Sequence, residues 1–425
     1  MRILVLGSGA REHAIVDALL ADPAGHDVVA WPGNAGIAEQ VACIDAGSIV
    51  DDETVAAWVQ ANPVDLVVIG PEAPLIAGVA DALRERGVPV FGPGRAAAQL
   101  EGSKAFAKRI MAEADVPTGR AVRAGTLAEA EEALDELGAP YVVKADGLAG
   151  GKGVLVTEDR AAAVAHATHW LQEGAVLIEE HLSGQEVSLF FLSDGHTVLP
   201  LSPAQDYKRL RDGDEGPNTG GMGAYSPLPW LADSFGSEEA FVTSVLDTVA
   251  RPVVRQLEHE DTPFIGLLYC GLIVDGGDIR VIEFNARFGD PETQVVLPRL
   301  ATPLPRLLFA AASGELEGLP WPEFTDRVAV GVVLASEGYP EAPRTGRPIY
   351  GFSDALSVAE TRIDHAATAW SAEEDAMLAT GGRVLTVVAV ADDFREARSR
   401  VYAAVDALDL EGAHYRTDIA ERVAR

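Results

Sequence analysis

The chain has 425 residues, 48% of them hydrophobic, which is enough for sizeable cores and a length that predicts about three domains. A formal net charge of −32 argues strongly against a nucleic-acid partner, because binding a phosphate backbone needs a cationic surface that releases counterions. The start of the chain lacks a cleavage pattern and no apolar run approaches the roughly 18 residues that span a bilayer, so a cytoplasmic protein without membrane contact is expected; Cys43 and Cys270 are too few for a disulfide framework or a zinc site.

Over residues 1–102 short apolar strands alternate with amphipathic helices: ILVLG, a helix over about 12–20, VVAWPG, a helix over 53–61, LVVIGPE, a helix over 76–86, and VPVFGP. That alternation predicts an open, doubly wound parallel sheet with ligands at the carboxyl ends of its strands. Glycine and proline loops stand at those ends: Gly7-Ser8-Gly9-Ala10-Arg11-Glu12-His13, Pro32-Gly33-Asn34-Ala35-Gly36, Gly70-Pro71-Glu72 and Gly92-Pro93. The first resembles a dinucleotide fingerprint but has Glu12 where the third glycine belongs, so a dinucleotide-dependent oxidoreductase is disfavoured. The helix-start amides, with Arg11 and His13 assisting, can still hold a single phosphate, and a purely structural turn is the other reading. The Pro32–Gly36 stretch reads equally as a turn or a binding loop.

Residues 103–318 form the second block. A helix carrying Lys104 and Lys108 leads to Val116-Pro117; then a helix over 127–137, strand YVVKA, a glycine-rich turn, strand VLVT, a helix over 161–171 and strand VLIEE make a compact α+β unit, a lid over about 118–188. The turn Ala145-Asp146-Gly147-Leu148-Ala149-Gly150-Gly151-Lys152-Gly153 is not a Walker A loop, since Gly153 replaces the required Ser or Thr and a strand follows. Exposed backbone amides between two strands suit a hairpin that closes on ATP phosphates, with Lys144 reaching in. Glu179, Glu180, His181 and Leu182 end a strand where backbone groups could pair with an adenine edge, and Glu186 could accept from ribose hydroxyls. The segment 205–227 combines Asp206 and Lys208 with Asn218, Gly220 and Gly221, as a substrate-closing loop would. A helix over 241–257 follows, then strands GLLYCGLIVD and DIRVIEFN as a hairpin around Gly276-Gly277.

The segment VIEFNARFGDPETQ, residues 281–294, carries the most chemistry. A period-two pleat points the oxygens of Glu283 and Asn285 to one face and Ile282 and Phe284 to the other. Two hard oxygen donors suit Mg²⁺, which completes its octahedron with water and substrate phosphates. Arg287, Asp290 and Glu292 follow in one loop, a guanidinium beside carboxylates where phosphoryl transfer needs charge neutralised. The last block, 319–425, contains AVGVVLAS, VLTVVAVA and a helix over 394–408, and reads as a separate small α+β lobe.

A lysine-bearing helix, a glycine-rich hairpin, a strand-end hinge and a Glu-x-Asn strand, in this order, resemble the ATP-grasp superfamily. GSGAREHA, PGNAG, GPEAPL, QLEGSKAF, KADGLAGGKGV, GPNTGGMGAYSP and VIEFNARFGDPETQ narrow the resemblance to the phosphoribosylamine-glycine ligase family and cover the chain nearly end to end. The resemblance implies ATP-dependent joining of glycine to 5-phosphoribosylamine through an acyl phosphate, the second step of de novo purine synthesis, by a monomer or weak homodimer. It implies a pre-ATP-grasp domain, a central ATP-grasp fold and a small C-terminal lobe. Glu283 and Asn285 would hold Mg²⁺ or Mn²⁺. Lys104, Lys144, Gly147, Gly150, Gly151, Lys152 and Gly153 would serve the ATP phosphates, with Glu179, Glu180 and Leu182 at adenine and Glu186 at ribose. Arg287, Asp290, Glu292 and Lys208 would act at the reacting groups, and Gly9, Arg11, Gly33, Asn34, Asp206, Asn218, Gly220 and Gly221 would line the substrates. Two departures stand out: the strand before Glu-x-Asn reads Tyr269-Cys270-Gly271, without the acid that many ATP-grasp enzymes place there, and Tyr207 stands where relatives often have His. Another ATP-grasp purine-pathway ligase or carboxylase, and a non-catalytic nucleotide sensor, are the competing readings.

Overall fold

The computed structural model describes residues 1–148 and 153–425. Its amino-terminal sheet has five parallel strands, β1 (Arg2–Gly7), β2 (Asp27–Pro32), β3 (Ala42–Cys43), β4 (Leu66–Ile69) and β5 (Val90–Phe91), in the order β3-β2-β1-β4-β5. The order reverses at β1, so the crevice for ligands opens above its carboxyl end, where Gly7, Ser8 and Gly9 lie. Residues Ile3 to Leu6 are fully buried because helices cover both faces of a parallel sheet. The helix expected over 76–86 is two helices, Glu72–Ala77 and Val79–Arg84, parted by Gly78 at φ +94°, a left-handed residue that ends one helix and starts the next.

Two antiparallel sheets face each other in the central region. The lid sheet runs Ala121–Ala124, Val176–Glu179, Tyr141–Ala145, Val154–Thr157, in that spatial order. Val143 and Ile178 point into a small core with the helices Leu127–Leu137 and Arg160–Trp170. The pleat therefore turns Lys144 and Glu179 to the opposite face, toward the second sheet. That second sheet orders Val198–Pro200, Gln185–Asp194, Ile265–Asp275 and Asp278–Asn285, the last two forming the expected hairpin. The helix expected over 241–257 extends from Glu238 to His259 and contains a wider π turn at Leu246–Ala250.

The carboxyl-terminal block forms the expected α+β lobe but borrows strands from the segment 205–226. Its central strand Val328–Ala335 is buried at all eight positions and needs a partner on each edge. Arg383–Ala391 supplies one and Gly223–Ser226 the other, so a single five-stranded sheet joins the segment 205–226 to the end of the chain. The helix Phe394–Ala407 packs on this sheet. Among the described residues no helix is long and apolar enough to cross a membrane.

Candidate active site

Glu283 and Asn285 share one face of the strand Asp278–Asn285, opposite Gly271 and Tyr269 of the neighbouring strand. A Cβ on Gly271 would lie 2.9 Å from Glu283 Cγ, so an acid there would require the Glu283 side chain to move. Lys208 Nζ donates to Glu283 Oε1 at 3.1 Å and stands 3.2 Å from Glu186 Oε2. The Lys208 charge, helped by Lys144 and Lys104, outweighs burial and holds the Glu283 carboxyl down at about 2. Burial alone would depress Lys208, but Glu186 and Glu283 raise it well above its ordinary value. The strand thus presents a permanently anionic oxygen donor beside an amide oxygen. Among the described residues no group of three or more His, Cys, Asp or Glu could cage a metal. Two oxygens on one face fit Mg²⁺ completed by phosphates better than a closed protein site.

More lysines converge on this wall. Lys144 Nζ donates to Glu179 Oε2 and to Ile282 O, both at 3.1 Å, tying the lid sheet to the metal strand. Lys108 Nζ lies 3.1 Å from the same Glu179 oxygen, and Lys104 Nζ donates to Gly147 O at 3.0 Å. Burial and the like charge of Lys144 lower Lys104 despite Glu283. On a chain of net charge −32, four lysines against Glu179, Glu186 and Glu283 make a local anion site. Glu179 serves it through its carboxylate, as the common partner of Lys108 and Lys144. Glu180 is used locally: its amide donates to Arg120 O at 2.9 Å and its carboxylate accepts from Arg120 N at 3.0 Å. Leu182 packs beside Gly119, and Gly153 O accepts from Ala145 N at 2.8 Å. Gly150, Gly151 and Lys152 lie outside the described residues.

Arg287 links this wall to the amino-terminal region. Its Nη2 is 2.9 Å from Glu101 Oε1 and 3.5 Å from Asn285 Oδ1, while Nε stands 3.5 Å from Glu72 without a hydrogen bond. Glu101 also accepts from Ala286 N at 2.8 Å. Burial pushes the Glu101 carboxyl up against the pull of Arg287; the two acids in turn overcome burial at Arg287 and raise its pKa.

On the loop that follows Asn285, Asp290 lines a cleft of about 430 Å³ together with Ser8 and Gly9, Asn218 to Gly220, and Tyr339 and Arg383 of the carboxyl-terminal block. Gly9 lines it, but its amide is not free. Glu12 Oε2 accepts from Gly9 N at 2.6 Å, and Glu12 Oε1 pairs with Arg11 Nε at 2.5 Å. A carboxylate of the chain itself therefore fills the place where a pyrophosphate would sit, and Gly70 is needed because a Cβ there would lie 2.1 Å from Glu12 Oε1. Arg11 also donates from Nη1 to Phe288 O at 3.2 Å and is buried, and the Gly9 amide is occupied by Glu12, so the chain's own groups hold both where a phosphate contact was expected. His13 turns inward, accepting from His365 N at 2.8 Å. Burial lowers both histidines to about 4. Asn34 caps its own short helix and donates to Ser8 O at 2.9 Å and His365 O at 2.6 Å. Gly33, at φ +71°, leaves room for Cys43 Sγ, 2.4 Å from where a Cβ would stand. Asn34 thus ties the amino-terminal sheet to the carboxyl-terminal block, while Gly33 packs within that sheet.

Glu292 is buried and accepts from Ser188 Oγ at 3.0 Å and Tyr269 OH at 2.9 Å. Burial and the like charge of Glu292 raise Asp206 well above a normal carboxyl, and Asp206 Oδ1 has no hydrogen-bond partner among the described residues. Gly221, at φ +109°, presses on both loops: a Cβ there would meet Pro291 Cδ at 2.4 Å and Asp206 Oδ1 at 2.7 Å. Asp290 pairs with Arg383 Nη2 at 2.7 Å and accepts from Gln294 Nε2 at 2.7 Å. Sequence reasoning missed Glu12, Glu101, Tyr339 and Arg383 as parts of the site. The glycine N-cap followed by Glu at the third helical position is a capping-box signal that would have found Glu12.

Three family models cover the chain: the phosphoribosylglycinamide synthetase N domain over residues 1–101, its ATP-grasp (A) domain over 102–293 and its C domain over 329–422. A phosphoribosylamine–glycine ligase of Leifsonia xyli subsp. xyli is 69% identical over 422 residues, 99% of this chain and 100% of the relative. The chain belongs to the phosphoribosylamine–glycine ligase family. The same-named protein of Streptomyces coelicolor is 53% identical over the full length of both chains. Among solved structures, the phosphoribosylamine–glycine ligase of Thermotoga maritima superposes with a TM-score of 0.82 at 33% identity, covering 98% of this chain and 100% of that one. The biotin carboxylase domain of Hydrogenobacter thermophilus 2-oxoglutarate carboxylase, at 18% identity and a TM-score of 0.68 over 97% of this chain and 91% of that one, shares the fold. The architecture is thus that expected: an amino-terminal parallel sheet, a central ATP-grasp fold, which implies ATP and a divalent metal, and a carboxyl-terminal domain.

Proposed function

We propose that the chain joins glycine to 5-phosphoribosylamine at the expense of ATP, giving glycinamide ribonucleotide, ADP and phosphate by way of glycyl phosphate. The observation that carries this reading is the end-to-end identity of 69% to a ligase of that name. The wall around Glu283 supports it in chemical terms. A carboxylate is a poor electrophile, and phosphorylation supplies the leaving group that makes amide formation feasible. Lys104 and Lys144 hold the triphosphate, and Arg287 meets charge that develops on the transferring phosphoryl. Glu283 and Asn285 hold Mg²⁺ or Mn²⁺, which when bound neutralises phosphate oxygens. Lys208 keeps Glu283 ionised and ready, and Asp206, Asp290 and Glu292 border the acyl and amine groups. Closure of the glycine-rich hairpin excludes water from the acyl phosphate until the amine attacks.

Adenine lies at the strand end near Glu180 and Leu182, and ribose near Glu186. Functional units over 1–102, 103–318 and 319–425, the last two sharing a sheet, a monomer or weak homodimer, and a cytoplasmic setting belong to the same proposal. ADP release with phosphoribosylamine generated in situ, with and without glycine, tests it. Release that ignores glycine, or that requires bicarbonate or formate, sinks it in favour of another ATP-grasp ligase.

A further inference from the structure

Arg383 is the one cation among the described residues that line the 430 Å³ cleft. Its guanidinium has five N–H donors. Nη1 donates to the carbonyl of Gly220, to Asp290 O at 2.8 Å and weakly to Gly221 O at 3.4 Å; Nη2 donates to Asp290 Oδ2 at 2.7 Å. No acceptor among the described residues takes the Nε hydrogen or the second Nη2 hydrogen, and the side chain is 21% exposed. The Gly220 peptide is gripped at both ends by the carboxyl-terminal block, its N–H donating to Tyr339 OH at 2.9 Å and its carbonyl accepting from Arg383. The cleft is thus rigid on this side, with two charged donors left over.

We propose that Arg383 binds the phosphate of the amine substrate, placing the phosphoribosyl group in this cleft. The inference rests on the ligase reading above. That substrate is a phosphate monoester, carrying close to two negative charges into the field of a chain with net charge −32, so it needs a local cation. Other candidates are committed elsewhere. The helix amide at Gly9 is taken by Glu12, Arg11 is buried against Glu12 and Phe288 and does not line the cleft, and Lys104, Lys108, Lys144 and Lys208 face the metal strand. A planar guanidinium already fixed by three carbonyls and a carboxylate offers its remaining donors to a phosphate with little further loss of freedom.

The test compares wild type, R383M and R383K on two amines: phosphoribosylamine, formed in situ from ribose 5-phosphate and ammonia, and ribosylamine, formed from ribose and ammonia. Glycine-dependent ADP release gives kcat/KM for each, and thermal melts check the fold. The expected result is that wild type prefers the phosphorylated amine and that R383M loses roughly 10- to 100-fold of that preference, the worth of a charge-assisted hydrogen bond. R383K, which keeps the charge but not the fork, loses preference in the same direction by a smaller factor, and it carries the test if R383M does not fold. Equal losses on both amines, leaving the preference intact, overturn the proposal and make Arg383 a strut between loops. Wild type that releases no ADP in response to glycine with either amine overturns the ligase reading instead.

Discussion

The wall around Glu283 and the cleft beside Asp290 solve opposite problems. The wall gathers charge from adjoining strands and helices, as in the Lys208–Glu283 pair, 75 residues apart in sequence, and each partner's protonation state depends on the other. The cleft gathers backbone from remote segments, Arg383 reaching Gly220 across 163 residues, and its shape depends on glycines pressed against side chains. A site that must bind a triphosphate and then admit a second anion gains from this split. Altering the wall should damage turnover, and altering the cleft should damage recognition.

The largest effect expected is at the wall. Glu283→Ala removes the anionic member of the Glu283–Asn285 pair, and turnover should fall roughly a thousandfold through lost metal and phosphate alignment. Near-normal ADP release at saturating Mg²⁺ would erase the difference between wall and cleft. Arg287→Met should lower stability by about 3 kcal/mol as well as turnover, since it leaves Glu101 buried and without its cation. Urea unfolding that shows no shift would mean that Glu101 is already neutral in the native chain.

At the cleft, Gly221→Ala forces a left-handed alanine against Pro291 and Asp206. The KM for phosphoribosylamine should rise about tenfold while that for ATP moves little, a loss of roughly 1.4 kcal/mol in recognition. Equal changes in both KM values would merge the two ends into one. The smallest effect concerns the joint behind the cleft. His13 and His365 stay neutral in the fold down to about pH 4 but titrate at 6.5 when unfolded, so from pH 6.5 to 4 the unfolded chain takes up protons that the folded one refuses. Folding stability should then drop on the order of 1 kcal/mol per pH unit for each histidine. Asp17 and Arg362 face His13, and Asp364, which burial raises to about 8, acts in the opposite sense throughout this range. The informative measurement is therefore the difference between parent and His365→Gln. The parent should lose more stability on acidification; identical slopes would show the joint to be insensitive to protons.

The wall was legible because its residues obey local rules. Strand periodicity placed Glu283 and Asn285 on one face, and the lysines sat in recognisable segments. The amino-terminal sheet was legible for the same reason. What escaped was set by contacts distant in sequence. Arg383 opens the strand Arg383–Ala391 and reads as a solvated strand end until Gly220 and Asp290 are brought to it. Arg11 looked available in a loop motif, and only the fold shows it buried against Glu12. Asn34 looked like a substrate contact in a glycine turn, yet its partner is the backbone of His365.

The sheet that joins Gly223–Ser226 to Val328–Ala335 and Arg383–Ala391 also bears on synthesis. A chain made from its amino terminus can complete its first parallel sheet and lid early, because their strands are close in sequence. Gly223–Ser226 has only the short strand Gln205–Asp206 on one edge, and its other edge stays open until more than a hundred further residues have left the ribosome; Val328–Ala335 must itself wait for Arg383–Ala391 to cover its other edge. The ATP end can therefore exist on a nascent chain before the amine end does, and the acceptor cleft is among the last features to form.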